Sequence, residues 1–196
     1  MKKFLAFLAI GFLLGACSDK LTSSKAEKLI QEALKKEPVQ GEESIKIGDE
    51  VEFIGHDFMV KENLKPYKKL KEEGMIEMVD KGISRYDAPL YSIQLTDKGK
   101  QYLLRIEDDG KYKQYIMKTY SATLDRVDEL HVIPEQNSAR ALVSFKIEKT
   151  PFFVLENLET QDRIKENLVK RALAFRKLEE KGWKVEDISD YDIEEY

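Results

Sequence analysis

The chain has 196 residues, of which 42% are hydrophobic and 36% are charged, and its formal net charge is −4 at pH 7. This length fits one domain or two small ones, and the acidic balance opposes non-specific binding to nucleic acid or to anionic lipid. The only cysteine, Cys17, leaves the chain without an internal disulfide, so we expect packing alone to stabilise the fold.

Residues 1–16 have the organisation of a secretory signal peptide. Lys2 and Lys3 precede an apolar run from Phe4 to Leu14, which the small residues Gly15 and Ala16 follow. The run has eleven residues, whereas a helix that crosses a bilayer needs roughly 20. We therefore expect this segment to be cleaved and the mature chain to contain no transmembrane helix.

The motif LGAC, from Leu14 to Cys17, resembles the lipobox of bacterial lipoproteins. The resemblance implies cleavage before Cys17, lipid attachment to its sulfur and acylation of the new amino terminus. Two or more acyl chains hold a protein stably on a membrane. We accordingly predict a lipidated cysteine and short polar tether over residues 17–24 and a membrane as the first partner. The predicted location is the bacterial cell envelope, and Ser18 favours the outer membrane if the host has one.

The N-terminal half predicts helices separated by strand-like segments. After Ser24, a candidate cap, KAEKLIQEALKK places its apolar residues on one helical face. A second helix is predicted over Asn63–Glu73, closed by Gly74, with Met75 folding back against the helix as in a Schellman turn. Strands are predicted over 76–79 and 90–95.

The order of helix, strand, helix ending LKEEGMI, strand, polar loop and strand ending LTDKGKQYL resembles the winged-helix domain of bacterial transcription regulators, over residues 25–104. The resemblance implies that the helix before EEGMI enters the major groove and that Asp80–Leu90 is the wing. However, three glutamates offset the charge of most lysines on or near this helix, and Arg85 is the sole arginine near it. Because DNA affinity depends on neutralising several phosphates, the sequence disfavours nucleic acid as a partner and favours a protein-contact surface.

The second half, residues 105–184, predicts a small antiparallel sheet covered by one long helix. Strands are expected over Lys111–Tyr120, Arg126–Ile133 and Ala139–Ile147, the last with clean alternation. The covering helix is predicted over Thr160–Lys181, with an apolar stripe that includes Phe175 and Leu178. Residues 185–196 form a predicted acidic tail. The expected fold class is therefore α+β, with a winged-helix-like N-terminal half.

Signatures of catalysis are missing from the sequence. The two histidines, His56 and His131, lack metal-binding spacing, and there is no nucleophile elbow, phosphate loop or dinucleotide fingerprint. We predict no metal, no cofactor and no catalytic residue. The carboxylates of the tail fit no EF-hand spacing, so solvation explains them better than calcium binding.

The segment TPFF contains the candidate partner contact. A proline followed by Phe152 and Phe153 at a strand end should turn at least one ring away from the core face of the sheet. The leading hypothesis is a lipid-anchored, non-enzymatic envelope protein that binds another protein or serves a structural role. A small-ligand binder or enzyme is the alternative, and a DNA-binding winged helix is the third hypothesis.

Overall fold

A computed structural model of the chain describes residues 20–108, 113–179 and 181–186. The predicted signal peptide, Cys17 and the acidic tail beyond Glu186 lie outside the described residues. The described part contains four α-helices: α1 (Ser23–Lys36), α2 (Asp57–Glu72), α3 (Asp97–Lys100) and α4 (Leu158–Arg163). Its strands are β1 (Gln40–Lys46), β2 (Gly48–Glu52), β3 (Ile76–Ile83), β4 (Pro89–Leu95), β5 (Leu103–Asp108), β6 (Lys113–Ile133), β7 (Ser138–Lys149), β8 (Leu168–Leu178) and β9 (Gly182–Val185). Two 3₁₀ helices, Pro134–Gln136 and Pro151–Leu155, complete it.

The predicted fold class is wrong. About 50% of the described residues are in strands and 30% in helices, and a six-stranded antiparallel sheet extends across much of the chain. The fold is therefore mostly β. It is not a winged-helix-like half followed by a small sheet under one long helix.

The large sheet is organised around β6. Its strand order is β1-β6-β7-β8-β9, and β5 also pairs with β6. The first half of β6 pairs with β1 and β5, whereas its second half pairs with β7. This strand has 21 residues, so one continuous strand pairs with β1 and β5 at its start and with β7 along the rest of its length.

The predicted covering helix over Thr160–Lys181 is the largest error. Helix α4 ends at Arg163, and after a turn at Asn167, whose φ is 55°, the chain continues as β8. Burial in β8 alternates, because Leu173 and Phe175 are buried while the alanine between them is exposed. Some apolar residues in this stretch are spaced so that they fit a helical period of three to four residues and also the two-residue period of a strand. Hydrogen-bonded pairing with β7 stabilises the strand.

Helix α1 covers one face of the large sheet. Its cap is Thr22, whose side chain accepts a hydrogen bond from the amide of Lys25, and not the predicted Ser24. Ala26 and Ile30 are fully buried in a first core, together with Leu21 and the alternating residues of β7. The predicted alternation of β7 is confirmed.

Helix α2 begins earlier than predicted, at Asp57, so Pro66 lies in its interior. Gly74 ends the segment with a φ of +69°, and the amide of Met75 donates to the carbonyl of Leu70 over 2.8 Å. Both of these side chains are fully buried. The predicted glycine turn and its hydrophobic contact are therefore confirmed.

A second, three-stranded sheet packs beside α2. Its strand order is β2-β4-β3, so the two strands predicted after Gly74 form a hairpin that β2 extends. The second core lies between this sheet, α2 and the first half of β6, and it includes Phe53, Tyr67 and Met117. The described residues thus form two hydrophobic cores, both of which contain residues of β6.

Candidate functional site

The two rings of the TPFF segment enter different cores. Phe152 is fully buried in the second core, where its ring centroid lies 5.8 Å from that of Tyr102. Phe153 packs against the first core, 6.2 Å from the Tyr120 ring, and the Nζ of Lys149 lies 4.7 Å above its centroid. Phe152 therefore presents no surface to a partner, and Phe153 is the one of the pair that a partner could reach.

The two histidines lie in separate parts of the fold. His56 precedes α2 without a side-chain capping bond, and His131 lies near the end of β6, opposite Arg140. In the part of the chain that the structure describes, no group of three histidine, cysteine or acidic side chains could hold a metal ion. The same residues include no helix long and apolar enough to cross a membrane.

An exposed apolar surface, which we call the tip patch, lies at one end of the small sheet. It consists of large side chains that are 54% to 73% exposed, namely Ile54, Phe58, Met59, Ile83 and Tyr86. Large exposed apolar patches on monomeric proteins mark interaction sites, whereas single exposed residues carry no such meaning.

Strand pairing brings the parts of the tip patch together. The amide of Phe53 donates to the carbonyl of Pro89 over 3.1 Å, and Pro89 is opposite Ile83 on β3. Ile54, which follows Phe53, is therefore level with Ile83 at the same sheet end. A methyl group on Gly55, the residue after Ile54, would lie 3.4 Å from the Cβ of Met59, so the first turn of α2 lies close to the chain leaving β2.

The loop between β3 and β4 is held in a defined turn. The amide of Ser84 donates to the carbonyl of Ala88 over 2.8 Å, and Asp87 has a φ of 59°. The guanidinium of Arg85 lies 4.7 Å above the ring of Tyr86. The sequence interpretation treated this loop as a wing and did not predict the tip patch. The only local signal in the sequence was the pair of adjacent large apolar residues Phe58 and Met59.

A groove of about 730 Å³ lies between α2 and residues 154–161, and we call it the α2 groove. Its walls include Pro66 from α2 and Val154, Leu155 and Leu158 from the facing segment. Lys46 and Lys69 also line it, and the structure gives neither an acidic partner within the described residues. The amide of Lys46 donates to the Oη of Tyr67 over 3.0 Å, which fastens the edge of β1 to the helix.

A buried carboxylate, that of Glu156, also lines the α2 groove. Glu156 is only 9% exposed, and it accepts a hydrogen bond from the hydroxyl of Thr119, which is fully buried. The Nε2 of Gln161 donates to the backbone carbonyl of Glu156 over 2.6 Å and fixes the segment. Burial, and then the nearby charge of Glu156, raise the pKa of Glu43.

Gly41 makes this arrangement possible. A Cβ atom at Gly41 would lie 2.2 Å from both the Oγ1 of Thr119 and a ring carbon of Tyr120. The pairing of β1 with β6 shifts register immediately after Gly41, at the position where Thr119 is inserted. Sequence reasoning missed Thr119 and Glu156, because 37 positions separate them and neither belongs to a recognisable motif.

Comparison of the chain with protein-family models finds no match, and searches of curated proteins and of solved structures find no significant similarity.

Proposed function

We propose that the chain is a lipid-anchored protein of the bacterial cell envelope that binds a partner protein through the tip patch and performs no catalysis itself. The observation that supports this function is that five large apolar side chains, each more than half exposed, lie on two short segments, 54–59 and 83–86, which strand pairing brings to one end of the small sheet. Burial of such side chains against a partner is favourable by about 25 cal/mol per Å².

The charges around the tip patch support a protein partner over a membrane or DNA. The segments that carry the patch hold both acidic and basic side chains: Glu52, Asp57, Lys61, Asp80, Lys81, Arg85 and Asp87. Four negative and three positive charges oppose phosphate binding, and carboxylates are costly inside a bilayer. An apolar centre with a mixed polar rim is the usual anatomy of a protein interface.

The proposed anchor is Cys17, which lies outside the described residues. Leu21 is buried in the first core, so only residues 18–20 would separate the lipidated cysteine from the fold. These residues span at most about 3.6 Å each when fully extended. The folded part of an anchored protein would therefore stay close to the membrane surface, and so would any partner that it binds.

Site-specific photocrosslinking in intact cells tests this function. The lipidated full chain carries a photoreactive residue at position 58 or 83 in the patch, or at position 174 on the exposed face of β8 as a matched control. We expect one protein to be crosslinked from both patch positions and not from position 174. Phe58→Ser combined with Ile83→Ser should remove that product while the thermal midpoint stays unchanged.

Two further outcomes decide the proposal. Cys17→Ala should remove the crosslink if the anchor brings the two proteins together. Equal crosslinking from position 174 and from the patch, or no protein crosslink at all from either patch position, would refute partner binding by the tip patch.

A further inference from the structure

The carboxylate of Glu156 is buried without a cation. Its only side-chain donor in the described part of the chain is the hydroxyl of Thr119, and none of the ion pairs found there includes Glu156. A buried carboxylate normally has a positively charged partner, because removing it from water is otherwise costly. Glu156 instead lines an open groove.

A second carboxylate increases the negative potential at this point. Glu43 lies on β1, and Glu156 follows the 3₁₀ helix that packs against β1. The charge of Glu156 opposes ionisation of Glu43 and raises its pKa, which places the two carboxyl groups near one another. Neither residue has a lysine or arginine within ion-pair distance among the described residues. The site is therefore complementary to an added positive charge.

The rest of the α2 groove narrows the class of ligand. Pro66, Val154 and Leu155 supply an apolar lining, and Leu158 at the edge is 79% exposed. Lys46 and Lys69 place positive charge elsewhere on the same lining. A ligand that satisfies all three features has an ammonium group, apolar side chains and a carboxylate.

We propose that the α2 groove binds a short peptide through its free amino terminus, with the ammonium group at Glu156 and the apolar side chains against Val154 and Leu155. The carboxylate end of the peptide then lies toward Lys46 and Lys69. A volume of about 730 Å³ accommodates a ligand of this size. This site is separate from the tip patch, and either proposal can fail without the other.

Calorimetric titration of the full chain with the tripeptide Leu-Ala-Leu tests the site, with the N-acetylated tripeptide as the matched ligand. We expect the free amine to bind about tenfold or more tightly than the acetylated form, because only the ammonium pairs with Glu156. Glu156→Gln keeps an acceptor for Thr119 and removes the charge, so it should abolish this preference.

Glu159→Gln is the control variant, since Glu159 is an exposed carboxylate on the neighbouring helix α4 and does not line the groove. It should bind the free tripeptide as the unchanged chain does. Thermal midpoints of both variants establish that they fold. Equal affinity for the two peptides, no binding of either up to millimolar concentration, or an undiminished preference in folded Glu156→Gln would overturn the proposal.

Discussion

Phe152 and Phe153 are adjacent in sequence, yet their rings pack into different hydrophobic cores. The hydroxyl of Thr150 fixes this arrangement, because it accepts a hydrogen bond from the amide of Phe152 and directs its single hydrogen to the backbone carbonyls of Lys118, at 2.7 Å, and Thr119, at 3.0 Å, on β6. The short segment that the sequence suggested as a contact thus joins the two cores.

The two phenylalanines should contribute unequally to stability. Phe152→Ala empties a fully buried site and should lower the free energy of unfolding by about 3–5 kcal/mol. Phe153→Ala should cost less, because its ring is only partly buried. Urea denaturation measures both, and Phe58→Ala, whose ring is 73% exposed, is the control with an effect of about 0.5 kcal/mol or less. A larger loss from Phe153→Ala than from Phe152→Ala would contradict the placement of these rings.

Gly41→Ala should destabilise the fold although the substitution is small. The new methyl group would overlap the Thr119 hydroxyl and the Tyr120 ring, and overpacking of this kind costs about 1–3 kcal/mol. The thermal midpoint should fall accordingly. Gln40→Ala, one residue earlier on β1, should leave the midpoint nearly unchanged, and equal midpoints for the two variants would argue against the close approach of β1 and β6.

Neighbouring carboxyl groups on β1 should influence pH stability with opposite signs. Burial, and then the charge of Glu156, raise the pKa of Glu43 in the folded state. The folded state therefore favours protonated Glu43. The contribution of Glu43 to the free energy of unfolding is fully present below pH about 4.5 and is lost as pH rises through its folded-state pKa. Glu43→Gln should raise the thermal midpoint at pH 7.5, and this difference should vanish at pH 4.

Glu42 provides the control of opposite sign. A hydrogen bond from Arg105 lowers the pKa of Glu42, so its stabilisation is present at neutral pH and is lost as pH falls through the folded pKa. Glu42→Gln should lower the midpoint at pH 7.5. Thermal scans of both variants between pH 4 and 8 measure the two effects, and the same sign for both at pH 7.5 would refute the assignment.

Ser144, which is fully buried on β7, should control the ionisation of Asp128 on the neighbouring strand β6. The hydroxyl of Ser144 donates to Asp128 over 2.5 Å, and this bond, followed by that from Arg126, holds the pKa of Asp128 below its usual value of 3.8. Ser144→Ala should move that pKa upward. Carboxyl-carbon NMR titration measures the shift, with Ser138→Ala on the same strand as the control, and an unchanged titration in Ser144→Ala would be the contrary result.

Local patterns predicted local structure well. The apolar spacing of α1, the Gly74 turn and the alternation of β7 depend on neighbouring residues, and each is present in the structure. The prediction of a long helix over Thr160–Lys181 was wrong because the position of Phe175 fits both a helical and a strand period. Only its partner on β7, Ala139, distinguishes the two, and no local pattern specifies that pairing.

Both candidate sites depend on contacts between distant parts of the chain. Ile54 and Ile83 lie at the same end of the small sheet because β2 and β3 both pair with β4, and Thr119 contacts Glu156 across 37 positions. Composition and motif searches detect neither relationship, because the residues involved are ordinary hydrophobic and polar residues. Ile54 and Ile83 indicate a site because they are exposed, whereas Thr119 and Glu156 indicate one because they are buried.

The course of β6 through both cores has a thermodynamic consequence. Met117 lies in the second core, whereas Tyr120 and Ala122, only a few residues later on the same strand, lie in the first. Neither core can lose its packing without withdrawing part of a strand on which the other is built. Heating should therefore melt the protein in one cooperative step, with equal calorimetric and van't Hoff enthalpies.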